Sequence, residues 1–448
     1  MRAWLCSGHV HALTRSRKLP SCAGRSAFSS SIYIANNDKE SRLERTIEKQ
    51  TFYPTPFVMP DAVPEVARMT AAEATYRKEL LKVLHHTNLP PVLYAFAYGS
   101  GVFRQTSSQK TSGSAPMIDM ILGVKNPLHF HARNLIENPL HYPWWSRWLG
   151  SWVISEVQDM GAGLWYVPYV KVDDKVIKYG VISEDNMVAD LLFWENLYIS
   201  GRMQKPTAAL INSSDERVPI AAQANHASAL RVSFLLLPHK FSERDLYLQI
   251  ASLSYMGDFR MNVPGGENQN KVQNIVDHQK PWFRFMYADL ITRFPSVRVG
   301  SGSPEKKWLM MEQDLSPQVR AIHAAKLPRN LRARIARHYI KQAGAHPVFA
   351  KMNTLEPEEL ERVMHASDMQ EYYDDAIVEA DAVSLSARFW LQVVQQPDFT
   401  DVIKQQIAKT VDYPARIQSL KGIYTAGFMR SMRYVWAKLQ KYRRGKPT

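Results

Sequence analysis

Four hydrophobic runs of strand length follow one another in the first half of the chain. They lie at residues 92–98, 117–124, 164–172 and 175–183. The last two are joined by Asp173-Asp174, a pair typical of a hairpin turn. Helical patterns flank the runs at 66–86 and 185–200. The order of these elements predicts a mixed α/β (α+β) fold built around a small sheet.

The second half of the chain is predominantly helical in pattern. The pattern predicts helices at 221–237 and 243–255, a mixed segment at 305–340 and an acidic, solvated helical region at 356–382. The longest apolar candidate for a membrane span, 89–103, is interrupted by prolines and glycines, so we expect no transmembrane helix. At 448 residues, the chain is long enough for more than one domain.

The net charge of +14 is concentrated at the two ends of the chain. Residues 1–37 contain five Lys and Arg and no acid, whereas residues 404–448 contain eleven Lys and Arg against Asp412 alone. The body between them is therefore close to neutral. Since no aromatic RNA-binding module accompanies this charge, we expect no nucleic acid partner.

The first 37 residues are typical of a mitochondrial transit peptide, because they are rich in Arg and Ser and lack the continuous apolar core of a secretory signal. A disordered basic tail is the alternative. Both cysteines, Cys6 and Cys22, lie in this segment. Its removal would leave no thiol for a disulfide, a nucleophile or a zinc site.

Asp119 stands alone in the apolar run 117–124, where the pattern predicts burial. A buried carboxylate without a partner is costly, so it requires a metal, a cation or a shifted pKa. The alternative is a structural aspartate that accepts hydrogen bonds from backbone donors.

Gly99-Ser100-Gly101 follows the strand before Asp119. Glycines at such a turn let backbone N–H groups approach an anion, although an ordinary tight turn has the same sequence. A strand, a Gly-Ser turn and a second strand with a carboxylate resemble the layout of the nucleotidyltransferase (polymerase-β-like) superfamily.

The chain departs from that superfamily in two respects. The spacing between Ser100 and Asp119 is longer than usual, and the second acid expected two residues after Asp119 is replaced by Ile121. One carboxylate is a poor two-metal site. We therefore expect another acid from elsewhere in the fold, Asp190 first and Asp258 second.

Six strings carry a closer resemblance. They are YGSGVF (98–103), MIDMILGV (117–124), IKYGVIS (177–183), DLLFWENLYISGRMQKP (190–206), LSYMGDFRM (253–261) and KGIYTAG (421–427). In this order they resemble the mitochondrial CDP-diacylglycerol synthases, phosphatidate cytidylyltransferases also named translocator assembly and maintenance proteins. Residues 166–169 read Tyr-Val-Pro-Tyr where that family leads us to expect Phe-Asn-Pro-Tyr.

The resemblance implies that CTP and phosphatidic acid react, with Mg²⁺, to CDP-diacylglycerol and pyrophosphate. It implies five segments: a transit peptide (1–37), a nucleotidyltransferase domain (38–215), a winged-helix-like domain (216–345), a helical acidic segment (346–403) and a basic tail (404–448).

The implied site roles are triphosphate binding by Gly99, Ser100 and Gly101, Mg²⁺ binding by Asp119 and Asp190, a phosphate contact by Lys205, and closure over the nucleotide by Asp258, Arg260 and Lys271. Lys205 as a surface lysine and Asp258–Arg260 as a local ion pair are the alternatives.

Two further groups of residues stay open to interpretation. His129, His131 and His141 lack the spacing of a zinc enzyme, so surface or packing roles are expected. Four tryptophans within nine residues form either part of a core or a lipid-facing surface. They are Trp144, Trp145, Trp148 and Trp152.

The end of the chain predicts an amphipathic helix. Between residues 428 and 444, aromatic and aliphatic residues fall on one helical face and only basic residues on the other. This pattern is typical of a helix that binds anionic lipids at a membrane surface; docking on the protein's own core is the alternative. We expect a peripheral enzyme on the matrix side of the mitochondrial inner membrane. A non-catalytic assembly factor of the import translocase and an RNA nucleotidyltransferase are the alternative functions.

Overall fold

The structure is a computed structural model of the chain. It describes residues 71–103, 117–213, 215–261, 263, 268, 270–300, 308–369 and 380–426. The chain divides into the units Met1–Arg45 and Thr46–Thr448, and all the described residues belong to the second unit. The predicted transit peptide and the predicted amphipathic helix beyond residue 426 lie outside the described residues.

A five-stranded mixed sheet forms the centre of the first half. Its strands are β1 (Tyr94–Tyr98), β2 (Ile118–Val124), β3 (Trp165–Val172), β4 (Lys175–Ser183) and β5 (Ala208–Ile211). Their order is β3-β4-β2-β1-β5, in which β2 and β4 are parallel and the other neighbours antiparallel. The four predicted strands and the hairpin at Asp173-Asp174 are thereby confirmed.

Three helices cover one face of this sheet. They are α1 (Ala71–His86), α2 (Pro127–Glu137) and α3 (Trp144–Asp159), with a 3-10 turn at Pro139–His141 between the last two. Leu80, Phe130 and Ile154 from these helices pack with the alternate side chains of the strands, including Met120 and Tyr179, into one apolar core. The opposite face carries Asp119 and Lys178, because successive side chains of a strand point to opposite sides.

The predicted helix at 185–200 is two helices, α4 (Glu184–Phe193) and α5 (Ile199–Met203). The first ends at Trp194, whose φ of 52° is left-handed. The side of the sheet that carries Asp119 faces α4: a Cβ added at Gly123 would lie 3.4 Å from side-chain atoms of both Glu184 and Met187.

The second half is a helical body with a small antiparallel sheet of order β6-β8-β7. Its strands are β6 (Lys240–Ser242), β7 (Val297–Val299) and β8 (Met310–Gln313). Its helices are α6 (Arg217–Leu236), α7 (Glu243–Ser252), α8 (Lys271–His278), α9 (Lys280–Thr292), α10 (Pro317–Ala325), α11 (Arg329–Ile340), α12 (Pro347–Asn353), α13 (Pro357–Met369), α14 (Ala380–Val393) and α15 (Phe399–Ala426), with 3-10 turns at Leu253–Tyr255, Phe259–Met261 and Ala343–Ala345. A second apolar core, rich in buried aromatic rings such as Tyr247, Phe283 and Trp390, unites them.

The tryptophan cluster divides between the two interpretations given by the sequence. Trp145 packs against Trp165, with ring centroids 6.2 Å apart, whereas Trp144, Trp148 and Trp152 are exposed. Core packing is therefore wrong for three of the four. None of the helices within the described residues is long and apolar enough to cross a membrane.

Candidate active site

The turn after β1 lies directly beside Asp119. Tyr98 pairs with Asp119 in the antiparallel ladder, so the chain turns at Gly99 next to the carboxylate. Gly99 has a φ of +85°, and a Cβ added there would lie 3.7 Å from Asp119 Oδ2. A Cβ at Gly101 would approach the carbonyl oxygen of Met117 to 2.7 Å, which a side chain cannot do. Glycine is thus required at both positions for the exposed Ser100 turn to lie beside Asp119.

Asp119 is not the unpartnered buried acid that the sequence suggested. Its neighbour in the parallel ladder is Lys178 on β4, whose Nζ donates to Asp119 Oδ1 at 3.0 Å. Both side chains are 27% exposed. Burial acts to lower the pKa of Lys178, but Tyr98 and the Asp119 carboxylate outweigh burial and raise it. Lys178 therefore stays charged. The other carboxylate oxygen, Asp119 Oδ2, faces the glycine turn.

Two cations and three tyrosine rings extend this pair into a cluster. Lys178 Nζ lies 4.3 Å from the centre of the Tyr166 ring. The Arg202 guanidinium, on α5, lies 4.4 Å from the Tyr98 ring and 4.9 Å from the Tyr198 ring. An aromatic face stabilises a cation in addition to any acidic partner, which Lys178 has in Asp119. This arrangement keeps positive charge beside Asp119 that a polyanion can bind.

Lys205 follows α5 and belongs to the same positive region. Its ammonium donates to the carbonyl oxygen of Gly201 and, at 2.7 Å, to Ser254 Oγ. Lys205 and Lys271 lie 5.2 and 5.3 Å from the centre of the same Tyr255 ring. Burial, together with the charges of Arg202 and Lys271, lowers the pKa of Lys205 well below its usual value. The surface-lysine alternative is therefore wrong.

Asp258 and Arg260 form a local ion pair, which is the alternative that the sequence allowed. The buried Asp258 carboxylate accepts from Arg260 Nε at 2.9 Å and from Arg260 Nη2 at 2.6 Å. Burial raises the pKa of Asp258, but the Arg260 hydrogen bonds and charge, with a contribution from Lys271, lower it overall. The carboxylate oxygens are thus taken up by Arg260, which argues against Asp258 as a second metal ligand.

Asp190 has a structural role in place of the predicted metal-binding one. Its side chain is buried, and its two oxygens accept five hydrogen bonds, from the backbone N–H groups of residues 196, 197, 199 and 200 and from the Ser200 hydroxyl. A carboxylate offers about four lone-pair sites, so none is left for a metal. Asp190 instead fixes the turn between α4 and α5 and thereby positions Arg202 and Lys205.

The three histidines considered for a metal have other surroundings. His131 lies between Tyr142 and Gln158 at 2.7 Å each, and His141 lies 2.9 Å from the Tyr179 hydroxyl. Among the described residues, no group of three or more His, Cys, Asp and Glu side chains could hold a metal ion.

Sequence reasoning missed Lys178, Arg202 and the tyrosines. Lys178 and Arg202 lie inside strings that carried the family resemblance, IKYGVIS and the segment 190–206, but neither string marks which of its residues faces Asp119. The second half of the chain also reaches the site. The Phe103 ring, just after the glycine turn, lies 5.9 Å from Trp282, and Tyr287 donates to the carbonyl oxygen of Gln204 at 2.9 Å.

Comparison with known proteins decides the family. A family model described as phosphatidate cytidylyltransferase, mitochondrial, matches residues 80–441. The chain belongs to this family. The match includes the glycine turn, Asp119 and every cation of the cluster, so the resemblance inferred from the six strings is confirmed.

Curated relatives of the mitochondrial phosphatidate cytidylyltransferase family align over most of the chain. The protein of this name from Danio rerio is 38% identical over 352 residues, 78% of this chain and 90% of the relative. The Xenopus laevis protein is 36% identical over 79% of this chain and 92% of its own. The Schizosaccharomyces pombe protein is 32% identical over 82% of this chain and 84% of its own.

Proposed function

We propose that the chain transfers the cytidylyl group of CTP to phosphatidic acid and releases pyrophosphate. One observation carries the assignment of the site: the glycine turn, the Asp119 carboxylate and a group of cations converge on one side of the sheet. In the reaction, a phosphate oxygen of phosphatidic acid forms a bond to the α-phosphorus of CTP. The bond from that phosphorus to the bridging oxygen breaks, and the electron pair leaves with pyrophosphate.

The side chains of the cluster suit this chemistry. The attacking phosphate is already ionised near neutral pH, so the site must mainly align two polyanions and stabilise charge on the leaving group. We assign the N–H groups of the glycine turn, together with Arg202 and Lys205, to the triphosphate. Lys178 is the cation closest to Asp119 and is suited to the phosphate at which the bonds change. Arg260 and Lys271 complete the positive region from the second half of the chain.

Asp119 is the residue that fits Mg²⁺. The ion is commonly held by one or two carboxylates together with substrate phosphates and waters, so one acid beside a triphosphate site is a suitable donor set. Asp119 Oδ2 faces the glycine turn, and Oδ1 is held by Lys178. When bound, Mg²⁺ would neutralise phosphate charge and polarise a phosphoryl oxygen.

The finer features of the fold and location are part of the same proposal. The five-stranded sheet with its Gly-Ser turn would be the nucleotidyltransferase domain, and the small antiparallel sheet with its helices the winged-helix-like domain. The protein would act at the matrix side of the mitochondrial inner membrane after loss of residues 1–37. Its basic tail would contact anionic lipids.

The decisive assay follows labelled CTP. Purified protein should form a chloroform-soluble labelled product only with phosphatidic acid and Mg²⁺. Asp119→Asn should lower kcat/KM about a thousandfold, because it removes the charge that holds the ion while keeping the shape of the side chain. Asp173→Asn is the matched control, since this exposed acid lies in the β3–β4 turn and should retain full activity.

Two outcomes would favour the other functions. Label that appears on RNA, without phosphatidic acid, would indicate an RNA nucleotidyltransferase. An Asp119→Asn protein that restores mitochondria lacking the wild type would indicate an assembly factor that does not need catalysis.

A further inference from the structure

Large apolar side chains are exposed on α3, at the end of α2 and in the 3-10 turn between them. Five residues form what we call the tryptophan surface: Ile136, Leu140, Trp144, Trp148 and Trp152, which are 82%, 83%, 74%, 83% and 65% exposed. Single exposed apolar residues are common on soluble proteins, but five large ones at 65–83% exposure within 17 residues of sequence favour a binding role. The catalytic cluster does not use these residues, because α3 lies on the opposite face of the sheet from Asp119.

The helix that carries the surface is firmly attached to the protein. After residue 150 its inner side buries Ile154 completely and holds Gln158 against His131 at 2.7 Å. Before residue 150, Trp145 packs against Trp165, with ring centroids 6.2 Å apart. Gly150 interrupts the helix with a φ of 82°, and a Cβ added there would meet no atom within 4 Å. The exposed tryptophans thus belong to an anchored element whose outer side stands open.

The end of α3 also adjoins the start of the basic tail. Lys421, near the end of α15, donates to the carbonyl oxygens of Gln158, Met160 and Leu164 at 3.1, 2.7 and 2.9 Å. Leu420 and Ile423, beside Lys421, are 55% and 48% exposed. Beyond residue 426 the sequence continues for 22 residues, with seven Lys and Arg and no acid. The described chain thus leads into the basic sequence from a helix that is bound to the end of α3.

We propose that the tryptophan surface docks on a lipid bilayer and inserts its side chains at the interface, and that the basic sequence after residue 426 favours an anionic bilayer. Tryptophan is suited to this position, because its ring is apolar and its N–H can remain in the head-group region. A bilayer with anionic lipids complements both features at once. The inference rests on the proposed function in so far as a lipid substrate requires contact with the bilayer.

Vesicle flotation of the full chain tests the proposal. The probes are vesicles of phosphatidylcholine with phosphatidic acid, at low salt and at about 1 M salt, where screening confines charge interactions to a few ångströms. The triple variant Trp144→Ser, Trp148→Ser, Trp152→Ser should bind at least about tenfold more weakly at high salt, where apolar insertion dominates. Met310→Ser with Ile322→Ser is the matched control, since these side chains are 56% and 55% exposed elsewhere. Equal high-salt binding by wild type and the triple variant would overturn the proposal.

A second readout keeps Trp144 and Trp152 and reports on position 148 directly. Since Cys6 and Cys22 are the only cysteines, both can be changed to Ser and Trp148→Cys labelled with a polarity-sensitive fluorophore. Vesicles should shift its emission to the blue, whereas the same label at Ile322→Cys should not respond. Unchanged emission at residue 148 on bound vesicles contradicts insertion. So does wild type that is dimeric by light scattering while the triple variant is monomeric, because the surface would then be a contact between copies.

Activity separates this inference from the proposed function. With a short-chain phosphatidic acid dissolved as monomers, the triple variant should turn over within about twofold of wild type. With long-chain substrate in vesicles, its rate should fall in parallel with its binding. Loss of turnover on both substrates by a folded triple variant would contradict a docking role. Absence of turnover in wild type would instead count against the proposed function alone.

Discussion

The two faces of the five-stranded sheet contain opposite kinds of polar group. Lys178 and Tyr179 are consecutive on β4, yet Lys178 pairs with Asp119 on one face while the Tyr179 hydroxyl on the other accepts from Asn134 Nδ2 at 3.0 Å. The face beneath α2 and α3 buries neutral groups. The other face gathers cations.

The buried neutral groups are partnered with one another. Asn134 also donates to the Tyr142 hydroxyl at 3.0 Å, and Tyr142 lies 2.7 Å from His131 Nδ1. Burial lowers the pKa of His131 to about 4, against a smaller opposing effect of the Gln158 hydrogen bond. His131 is therefore neutral at physiological pH and contributes to stability.

The cationic face is arranged differently. Arg202 and Lys178 lie over tyrosine rings, and Lys205 is bound to a hydroxyl and a carbonyl oxygen. A positive region of this kind remains available to an incoming polyanion. The comparison teaches that polar residues one position apart on a strand can serve stability and binding separately.

Substituting the two neighbours on β4, Lys178 and Tyr179, one at a time is the strongest test of this division. Lys178→Met should lower kcat/KM about a hundredfold, since it removes a fixed charge beside the reacting phosphate. Its unfolding free energy should fall by about 1 kcal/mol or less, because the Asp119–Lys178 pair that is broken is partly exposed. Steady-state kinetics and denaturant unfolding measure the two effects.

Tyr179→Phe is the reciprocal variant. It should lower the unfolding free energy by about 1–2 kcal/mol, because the buried Asn134 amide and the partly buried His141 ring each lose a hydrogen bond to Tyr179. It should leave kcat/KM within about twofold. If both variants lost mainly activity, or both lost mainly stability, the division between the faces would be contradicted.

The pH dependence of stability sharpens the comparison. His131 has an ordinary pKa of 6.5 and a folded-state pKa of about 4, so the unfolded chain binds the proton more tightly. Stability is complete above pH 6.5 and is lost as the pH falls from 6.5 to 4, by about 3 kcal/mol for this group. His131→Gln should reduce the slope of unfolding free energy against pH in that window. A slope equal to that of wild type would refute the assignment.

The smallest expected effect is proton uptake on the cationic face. The pKa of Lys205 is held low by burial and by Arg202 and Lys271, and a bound triphosphate favours its charged form. CTP binding should therefore be accompanied by proton uptake, measured by calorimetry in buffers of different ionisation enthalpy. Lys205→Met should remove this uptake and Lys240→Met, an exposed lysine paired with Glu312, should not. Buffer-independent heats in wild type would exclude the coupling.

The prediction for Asp190 failed for a local reason. The sequence showed an acid in an apolar helix, but the four N–H groups that bind it belong to a turn and a short helix formed only when the chain breaks at Trp194. For Asp119, the sequence indicated the strand, the turn and the need for a partner. It did not identify that partner, because Lys178 is 59 residues away and adjacent only through the parallel pairing of β2 and β4.

The amino-acid sequence by itself determined four of the five strands of the central sheet, the glycine turn and the family, because short-range periodicity and local motifs encode them; β5 was not predicted. Tertiary structure alone decided which side chains meet: Lys178 with Asp119, Arg202 with Tyr98, and the tryptophans of α3 with solvent. Strand pairing and helix packing bring residues that are distant in sequence within a few ångströms of one another. Local sequence patterns do not indicate which of these residues meet.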